Sequence, residues 1–131
     1  MFSYGNSGTV YVNGVSVHSS DKRLKDHIAY LDEDASDFIR ALKPIRYKWK
    51  GEDGEHYGFY AQDVQDADPH DTETVIESEY DESLGFDPLS LDYQALIAPL
   101  VAYAQQLEKR IDQQQQAIEV LTKRLDALEG R

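Results

Sequence analysis

Two side chains near the N-terminus can carry out chemistry together, those of Ser20 and Lys25. They lie five positions apart in the stretch VSVHSSDKRLKDHI, where a strand pattern gives way to an amphipathic segment. A serine hydroxyl is a weak nucleophile at neutral pH, and a lysine amine can activate it when burial lowers the lysine pKa until the amine is neutral. If Ser20 precedes a helix and Lys25 lies in its first turns, the amine can fold back towards the hydroxyl. The same spacing also fits a serine that only caps a helix.

A hairpin is predicted immediately before this pair. Val10, Val12, Val15 and Val17 alternate on either side of Asn13-Gly14, which indicates two short strands around a tight turn. A two-stranded hairpin is marginally stable in water. We therefore expect it to take its partners from other chains or from upstream sequence.

The region from Asp21 to Lys50 predicts two helical segments followed by strands. The first segment places Leu24, Ile28 and Leu31 on one face, and the second does the same with Phe38, Ile39 and Leu42. Ser36 is the candidate N-cap of the second segment, which must end before Pro44. Beyond it, IRYKWK and EHYGFYAQDVQ are predicted to be two strands joined by the turn GEDG.

The region from Asp66 to Asp92 is acidic and predicts a surface loop or a short ribbon, with strand character at 74–76. A cation site built from its carboxylates is an alternative, although the spacing differs from that of an EF-hand loop. The formal charge of the chain is −12, and no Lys or Arg occurs between Lys50 and Lys109. Such a surface repels phosphates, so nucleic acid and anionic membranes are not predicted as partners.

Other classes of protein are disfavoured by composition. The chain has no cysteine, which excludes disulfides and thiolate chemistry. It has no apolar run of membrane-spanning length and no signal-peptide pattern at its N-terminus, and we expect a soluble chain. The four histidines are scattered without ligand spacing, so no metal or other cofactor is predicted. They are His18, His27, His56 and His70.

The clearest pattern is a heptad repeat near the C-terminus. Apolar residues at spacings of three and four predict a left-handed coiled coil. Its two core positions hold Ala104, Ile111, Ile118 and Leu125, and Leu107, Gln114, Leu121 and Leu128. Ile at one core position and Leu at the other lean towards a dimer, whereas Gln114 is a polar layer that fixes register and copy number. Periodicity alone leaves dimer and trimer open, and Pro99 predicts either a kink or the true start of the helix.

Four motifs resemble one known family. SSDKRLKDHI, ALKPIRYKWK, HYGFYAQDVQ and LDYQALIAPLVAYAQQLEKRI occur in the order and approximate spacing of the C-terminal intramolecular chaperone domain of phage tailspikes, endosialidases, tail fibres and neck appendages, also called peptidase S74. The resemblance extends from Thr9 to Leu128. Proteins of this kind are homotrimers whose chaperone domain directs folding of an upstream β-helical stalk and then cuts itself off.

The resemblance implies a fold and a set of roles. The fold is α+β, with a remnant of the stalk at 1–19, a globular chaperone part at 20–90, and a coiled-coil helix at 91–131 that forms a homotrimer. Ser20 matches the nucleophile and Lys25 the base, and the cleaved bond is Ser19-Ser20. Asp21 and Arg23 match the pattern as well, with a structural role in capping and ion pairing. The protein is then a virion precursor made in the host cytoplasm, and the chaperone fragment is released after cleavage.

Two other functions remain open. The first is a trimeric coiled-coil cap that does not cleave, in which Ser20 only starts a helix. The second is a metal-dependent or hydrolytic enzyme that acts on a separate substrate.

Overall fold

The protein is α+β, as predicted, and the computed structural model describes residues 10–17 and 20–130. The chain divides after Tyr30 into two compact units. Within the described residues the strands form three separate antiparallel pairs. The elements are β1 (Val10–Val12), β2 (Val15–Val17), a 3-10 turn (Lys22–Leu24), α1 (Glu33–Ala41), β3 (Ile45–Lys48), β4 (Glu55–Gly58), α2 (Ala61–Ala67), β5 (Val75–Glu77), β6 (Leu89–Leu91), a second 3-10 turn (Tyr93–Leu96) and α3 (Ile97–Glu129).

The hairpin predicted at the N-terminus is confirmed. β1 and β2 pair antiparallel with Val12 opposite Val15. Asn13 and Gly14 both have positive φ, 51° and 79°, which is the backbone that a two-residue turn between twisted strands requires. The side chains of Val12 and Val15 are exposed. The described side chains of the hairpin therefore form no core, as its length led us to expect.

The prediction of a helix that contains Leu24, Ile28 and Leu31 is wrong. Only the short 3-10 turn forms there, and the backbone from Lys25 to Asp32 is irregular. Asp26 uses its side chain to accept the backbone N–H of His27, and His27 adopts a left-handed φ of 51°. Local side-chain bonds of this kind compete with the helix, and a left-handed residue cannot continue a right-handed one.

Helix α1 confirms the second predicted helix but not its predicted cap. The N-cap is Asp32, whose carboxylate accepts from the backbone N–H of Asp34 at 3.3 Å. Ser36 lies inside the helix with a buried hydroxyl. The earlier start also places Glu33 and Asp34 in the first turn, where negative charge is favourable. The helix ends at Ala41, before Pro44, as predicted.

The strands predicted on both sides of GEDG are confirmed in part. β3 and β4 pair antiparallel with Ile45 opposite Gly58. The second strand ends at Gly58, and the residues AQDV that were predicted to continue it begin helix α2 instead. Val64 of α2 is completely buried, so this segment is helical because it presents an apolar face to the core.

The acidic region forms the predicted short ribbon. β5 and β6 pair antiparallel, with Val75 opposite Leu91. These two residues pack against the core of the second unit, which is built around Phe38, Val64 and Leu96. The ribbon thereby ties the acidic region to α1 and α2 and leads into the long helix.

Helix α3 has two different apolar faces in its first three turns. One face packs along α1 with Ala102 buried and Pro99, Tyr103 and Gln106 half-buried. The helix begins at Ile97 rather than Leu91, and Pro99 lies in its first turn, where a backbone N–H has no acceptor within the helix. None of the described helices is long and apolar enough to cross a membrane.

The second face of α3 carries the heptad residues, and it is exposed. The large heptad side chains are between 36% exposed at Leu107 and 64% exposed at Leu128. At 33 residues the helix is about 50 Å long, and its distal half extends beyond the packing against α1. The globular part of the unit therefore leaves the heptad face uncovered over the whole length of the helix.

Gly58 is expected to tolerate no side chain. A Cβ atom placed there would lie 2.5 Å from Tyr93 Oη and 3.1 Å from Tyr47 Cε1. Gly58→Ala should therefore lower the free energy of unfolding by about 1–3 kcal/mol, measured by chemical denaturation. Gly54→Ala is the control, since its Cβ meets only His56 Nε2 at 3.7 Å. Tyr93→Phe in the Gly58→Ala background removes the closest atom and should restore part of the loss, and equal stability of both alanine variants would contradict the packing.

Candidate active site

The structure brings the two predicted catalytic side chains into contact. Lys25 Nζ lies 2.8 Å from Ser20 Oγ and donates a hydrogen bond to it. Both residues are exposed in the single chain. The distance is that of a base able to take the hydroxyl proton directly, provided that the amine is uncharged.

A short turn, rather than a helix, produces this contact. The 3-10 turn is closed by two backbone bonds, from Leu24 N to Asp21 O at 3.0 Å and from Lys25 N to Lys22 O at 3.2 Å. Lys25 is the residue after the turn, and its backbone is extended with φ −112° and ψ 148°. Lys25 therefore does not lie in the first turns of a helix that follows Ser20, and the N-cap is Asp21 rather than Ser20. The chain folds back within five residues because the tighter 3-10 geometry reverses it sooner.

Asp21 is the N-cap of this turn. Its Oδ1 accepts from the backbone N–H of Arg23 at 2.9 Å. The guanidinium of Arg23 also binds both carboxylate oxygens, with Nε 3.0 Å from Oδ1 and Nη2 2.7 Å from Oδ2. The side-chain bonds from Arg23, followed by its backbone N–H, hold the pKa of Asp21 below its ordinary value. The carboxylate therefore stays charged at pH values where an ordinary aspartate begins to protonate.

The predicted cleaved bond lies partly outside the described residues. Ser20 is described, but Ser19, whose carbonyl carbon is the predicted point of attack, is not. Cleavage at Ser19-Ser20 therefore stays a prediction based on the resemblance.

Three of the four histidines lie in the described part of the chain, and Nδ1 of His27 is 3.6 Å from Asp26 Oδ2. His70 Nε2 lies 3.3 Å from Asp34 Oδ2, and the ring of His56 is 5.6 Å from that of Tyr47. His18 lies outside the described residues. Across residues 10–17 and 20–130, no three His, Asp or Glu side chains meet in a group that could hold a metal ion, and this range includes the acidic region weighed as a cation site.

Comparison with known families gives one match. Residues 20–73 match the family described as chaperone of endosialidase, peptidase S74. The predicted resemblance is confirmed. The chaperone-of-endosialidase match covers the first three of the four motifs except Ser19, and the fourth, at 91–111, lies beyond it. No curated protein matches the chain significantly.

The limits of the match are informative about the site. The matching segment begins at Ser20 and contains Lys25, together with the turn that joins them. Along the sequence, the hairpin precedes the matching segment and helix α3 follows it. The family is named both as a chaperone and as a peptidase. Ser20, which accepts the hydrogen bond from Lys25, is the first residue of the segment that matches this family.

Proposed function

We propose that this chain is a self-cleaving intramolecular chaperone. It trimerises, directs the folding of an upstream β-structure of a phage fibre or tailspike, and then releases itself by cutting Ser19-Ser20. The observation that carries the proposal is the 2.8 Å contact between Ser20 Oγ and Lys25 Nζ at the start of the chaperone-of-endosialidase match.

The proposed reaction is an acyl transfer within one chain. Lys25 takes the proton of the Ser20 hydroxyl, and Oγ attacks the carbonyl carbon of Ser19. The peptide C–N bond breaks, and the nitrogen of Ser20 leaves as an amine after Lys25 returns the proton. An ester now joins Ser19 to Ser20 Oγ. Water hydrolyses this ester, which gives a Ser19 carboxylate and a chain that begins at Ser20.

Lys25 must be uncharged to act as the base. Desolvation is the usual way in which a protein favours a neutral amine, but Lys25 is exposed in the single chain. Assembly with other copies is the proposed source of that desolvation. Cleavage would then follow assembly, which is the order that a removable folding aid requires.

The exposed heptad face of α3 supports association between copies. In a parallel coiled coil, the residue just before the first core position of a heptad lies close to the residue just after the second core position on the neighbouring helix. Arg124 precedes Leu125 and Glu129 follows Leu128, so each Arg124 would meet a Glu129 from the next chain. The remaining pairs of this kind contain no like charges: Tyr103 with Glu108, Arg110 with Gln115, and Ala117 with Thr122. The charge pattern favours parallel helices in register.

Aligned chains would assist the folding of the β-structure. Intertwined β-structure forms slowly, because chain alignment costs entropy before the contacts stabilise anything. A coiled coil forms through local contacts and raises the effective concentration of the attached segments. The hairpin at 10–17 fits the end of such a structure, since its described side chains Tyr11, Val12, Val15 and Val17 are exposed. Removal of the coil after assembly would leave the product kinetically trapped.

Intact-protein mass spectrometry of the purified chain over several days tests the proposal. We expect the full-length mass to be replaced by that of residues 20–131, with Ser20 as the new N-terminus, while light scattering gives the mass of three chains. A full-length mass that never changes would contradict self-cleavage.

A permanent trimeric cap is the second candidate function. The observation that favours it is the exposed heptad face of α3, which could bind other copies without any reaction of Ser20 and Lys25. A trimer that keeps its full-length mass is the result that distinguishes this candidate. A mass of one or two chains in solution contradicts both.

A further inference from the structure

We infer that Asp21 is a positioning residue for self-cleavage: its carboxylate holds the turn that keeps Lys25 Nζ against Ser20 Oγ. The inference rests on the proposed function. The described hydrogen bonds of the Asp21 carboxylate come from Arg23, and none involves Ser20 Oγ or Lys25 Nζ. Asp21 acts through the backbone that joins Ser20 to Lys25.

Few other contacts hold the turn among the described residues. It is three residues long, none of them is buried, and two backbone hydrogen bonds close it. Helical segments this short are not stable in water by themselves, because fixing the first turn costs more entropy than its hydrogen bonds return. A side chain that accepts a free N–H at the start of the turn therefore has a large influence on how often the turn is formed.

The position of Lys25 depends directly on the turn. Its backbone N–H donates to Lys22 O, so the residue is placed by the last hydrogen bond of the turn. Its side chain then reaches back to Ser20, the residue before the cap. If the turn opens, Ser20 and Lys25 are joined by a flexible loop, and the 2.8 Å contact becomes a minor conformation.

The cap and the ion pair of Asp21 are expected to differ in importance. The bond to the backbone N–H of Arg23 belongs to the turn itself, whereas the guanidinium side chain is 84% exposed. Exposed ion pairs contribute little, and their effect is screened by salt. Asparagine caps helices about as well as aspartate does but cannot form the ion pair. Asp21→Asn therefore separates the two contributions.

The test measures the first-order rate of self-cleavage in the full chain by mass spectrometry. Asp21→Ala should lower the rate about fivefold or more, and Asp21→Asn should restore it to within about twofold of the wild type. Arg23→Gln, which keeps the cap and loses the ion pair, should match Asp21→Asn. Asp26→Ala is the matched control, because Asp26 also accepts a backbone N–H but lies beyond Lys25.

Thermal unfolding and light scattering on each variant check that the fold and the assembly are retained. Equal rates for Asp21→Ala and the wild type would overturn the inference and leave the proposed function intact. Equal losses for Asp21→Ala and Asp21→Asn would also overturn it, since the charge and not the cap would then be responsible.

A second measurement does not depend on cleavage. In NMR spectra of the full chain, a nuclear Overhauser effect between the Lys25 side chain and the Ser20 β-protons should be present in the wild type and Asp21→Asn, and weak in Asp21→Ala. If no form of the protein cleaves, the proposed function is wrong, and this series decides the role of Asp21. An effect that persists unchanged in Asp21→Ala would overturn the inference.

Discussion

Ser20→Ala is expected to keep its full-length mass for as long as the protein is stored, while the wild type is converted to residues 20–131. The alanine removes the atom that attacks the Ser19 carbonyl, and no other hydroxyl stands in hydrogen-bond contact with Lys25 in the described chain. The loss should be complete within the detection limit of intact-mass spectrometry, because an amide without a nucleophile is stable for years in water.

Lys25 variants should lose cleavage for a different reason. Lys25→Ala removes the base, and Lys25→Arg keeps a positive charge that is not given up in proteins, so neither variant can take the hydroxyl proton. Both should remain uncut over the time in which the wild type is cleaved. Normal cleavage by Lys25→Arg would show that charge, and not proton transfer, is what the reaction needs.

Lys22→Ala is the matched control for these variants. Lys22 lies on the same turn, and its backbone carbonyl, which the substitution retains, accepts from Lys25. Self-cleavage at the wild-type rate by Lys22→Ala shows that loss of a nearby lysine is not sufficient to stop the reaction.

Ile118→Asp is expected to convert the assembly into single chains. Ile118 is at a heptad core position and is 56% exposed in the single chain, so association is what would bury it. Burial of an isoleucine contributes about 1.5–3 kcal/mol per chain, and a carboxylate in the same layer would be buried without a partner. Light scattering at a fixed concentration should show the mass of one chain in place of three.

Val120→Asp provides the control on the same helix. Val120 has a similar exposure, 50%, but lies outside the two core positions of the heptad. It should keep the mass of the wild type. Dissociation by both variants would indicate that added charge, and not loss of the heptad core, disrupts the assembly.

Self-cleavage should respond to the same pair of variants. If assembly supplies the desolvation of Lys25, Ile118→Asp should cut at least about tenfold more slowly than Val120→Asp, because desolvation favours the uncharged amine that acts as the base. An unchanged rate in Ile118→Asp chains would show that a single chain contains the complete active site.

The features predicted correctly from the sequence depend on local chemistry or long periodicity. Asn13-Gly14 identifies the hairpin because few other residue pairs accept positive φ at both positions. The heptad repeat identifies α3 because it persists over many turns, and its core positions are exposed in the single chain. The number of chains is a property of how the core layers pack, and it remains a prediction.

The features predicted incorrectly depend on side chains that replace backbone hydrogen bonds. Leu24 and Ile28 have helical spacing, but Asp21 and Asp26 accept backbone N–H groups beside them, and the helix never forms. The contact between Ser20 and Lys25 was predicted through a helix, and a shorter turn produces it. The bidentate pair of Asp21 and Arg23 could be expected from their types and spacing, but the tightness of the turn could not.

If copies of the chain associate as proposed, the two faces of α3 couple folding to association. In its first three turns the same helix packs on α1 through one face and presents the heptad face to solvent. A preformed helix costs less entropy to dock, so association of the heptad face also favours the packing of α1, and the reverse holds equally. Chains in which α1 has not packed would then be weaker partners, and the midpoint of thermal unfolding would rise with protein concentration. Folded copies would associate in preference to unfolded ones.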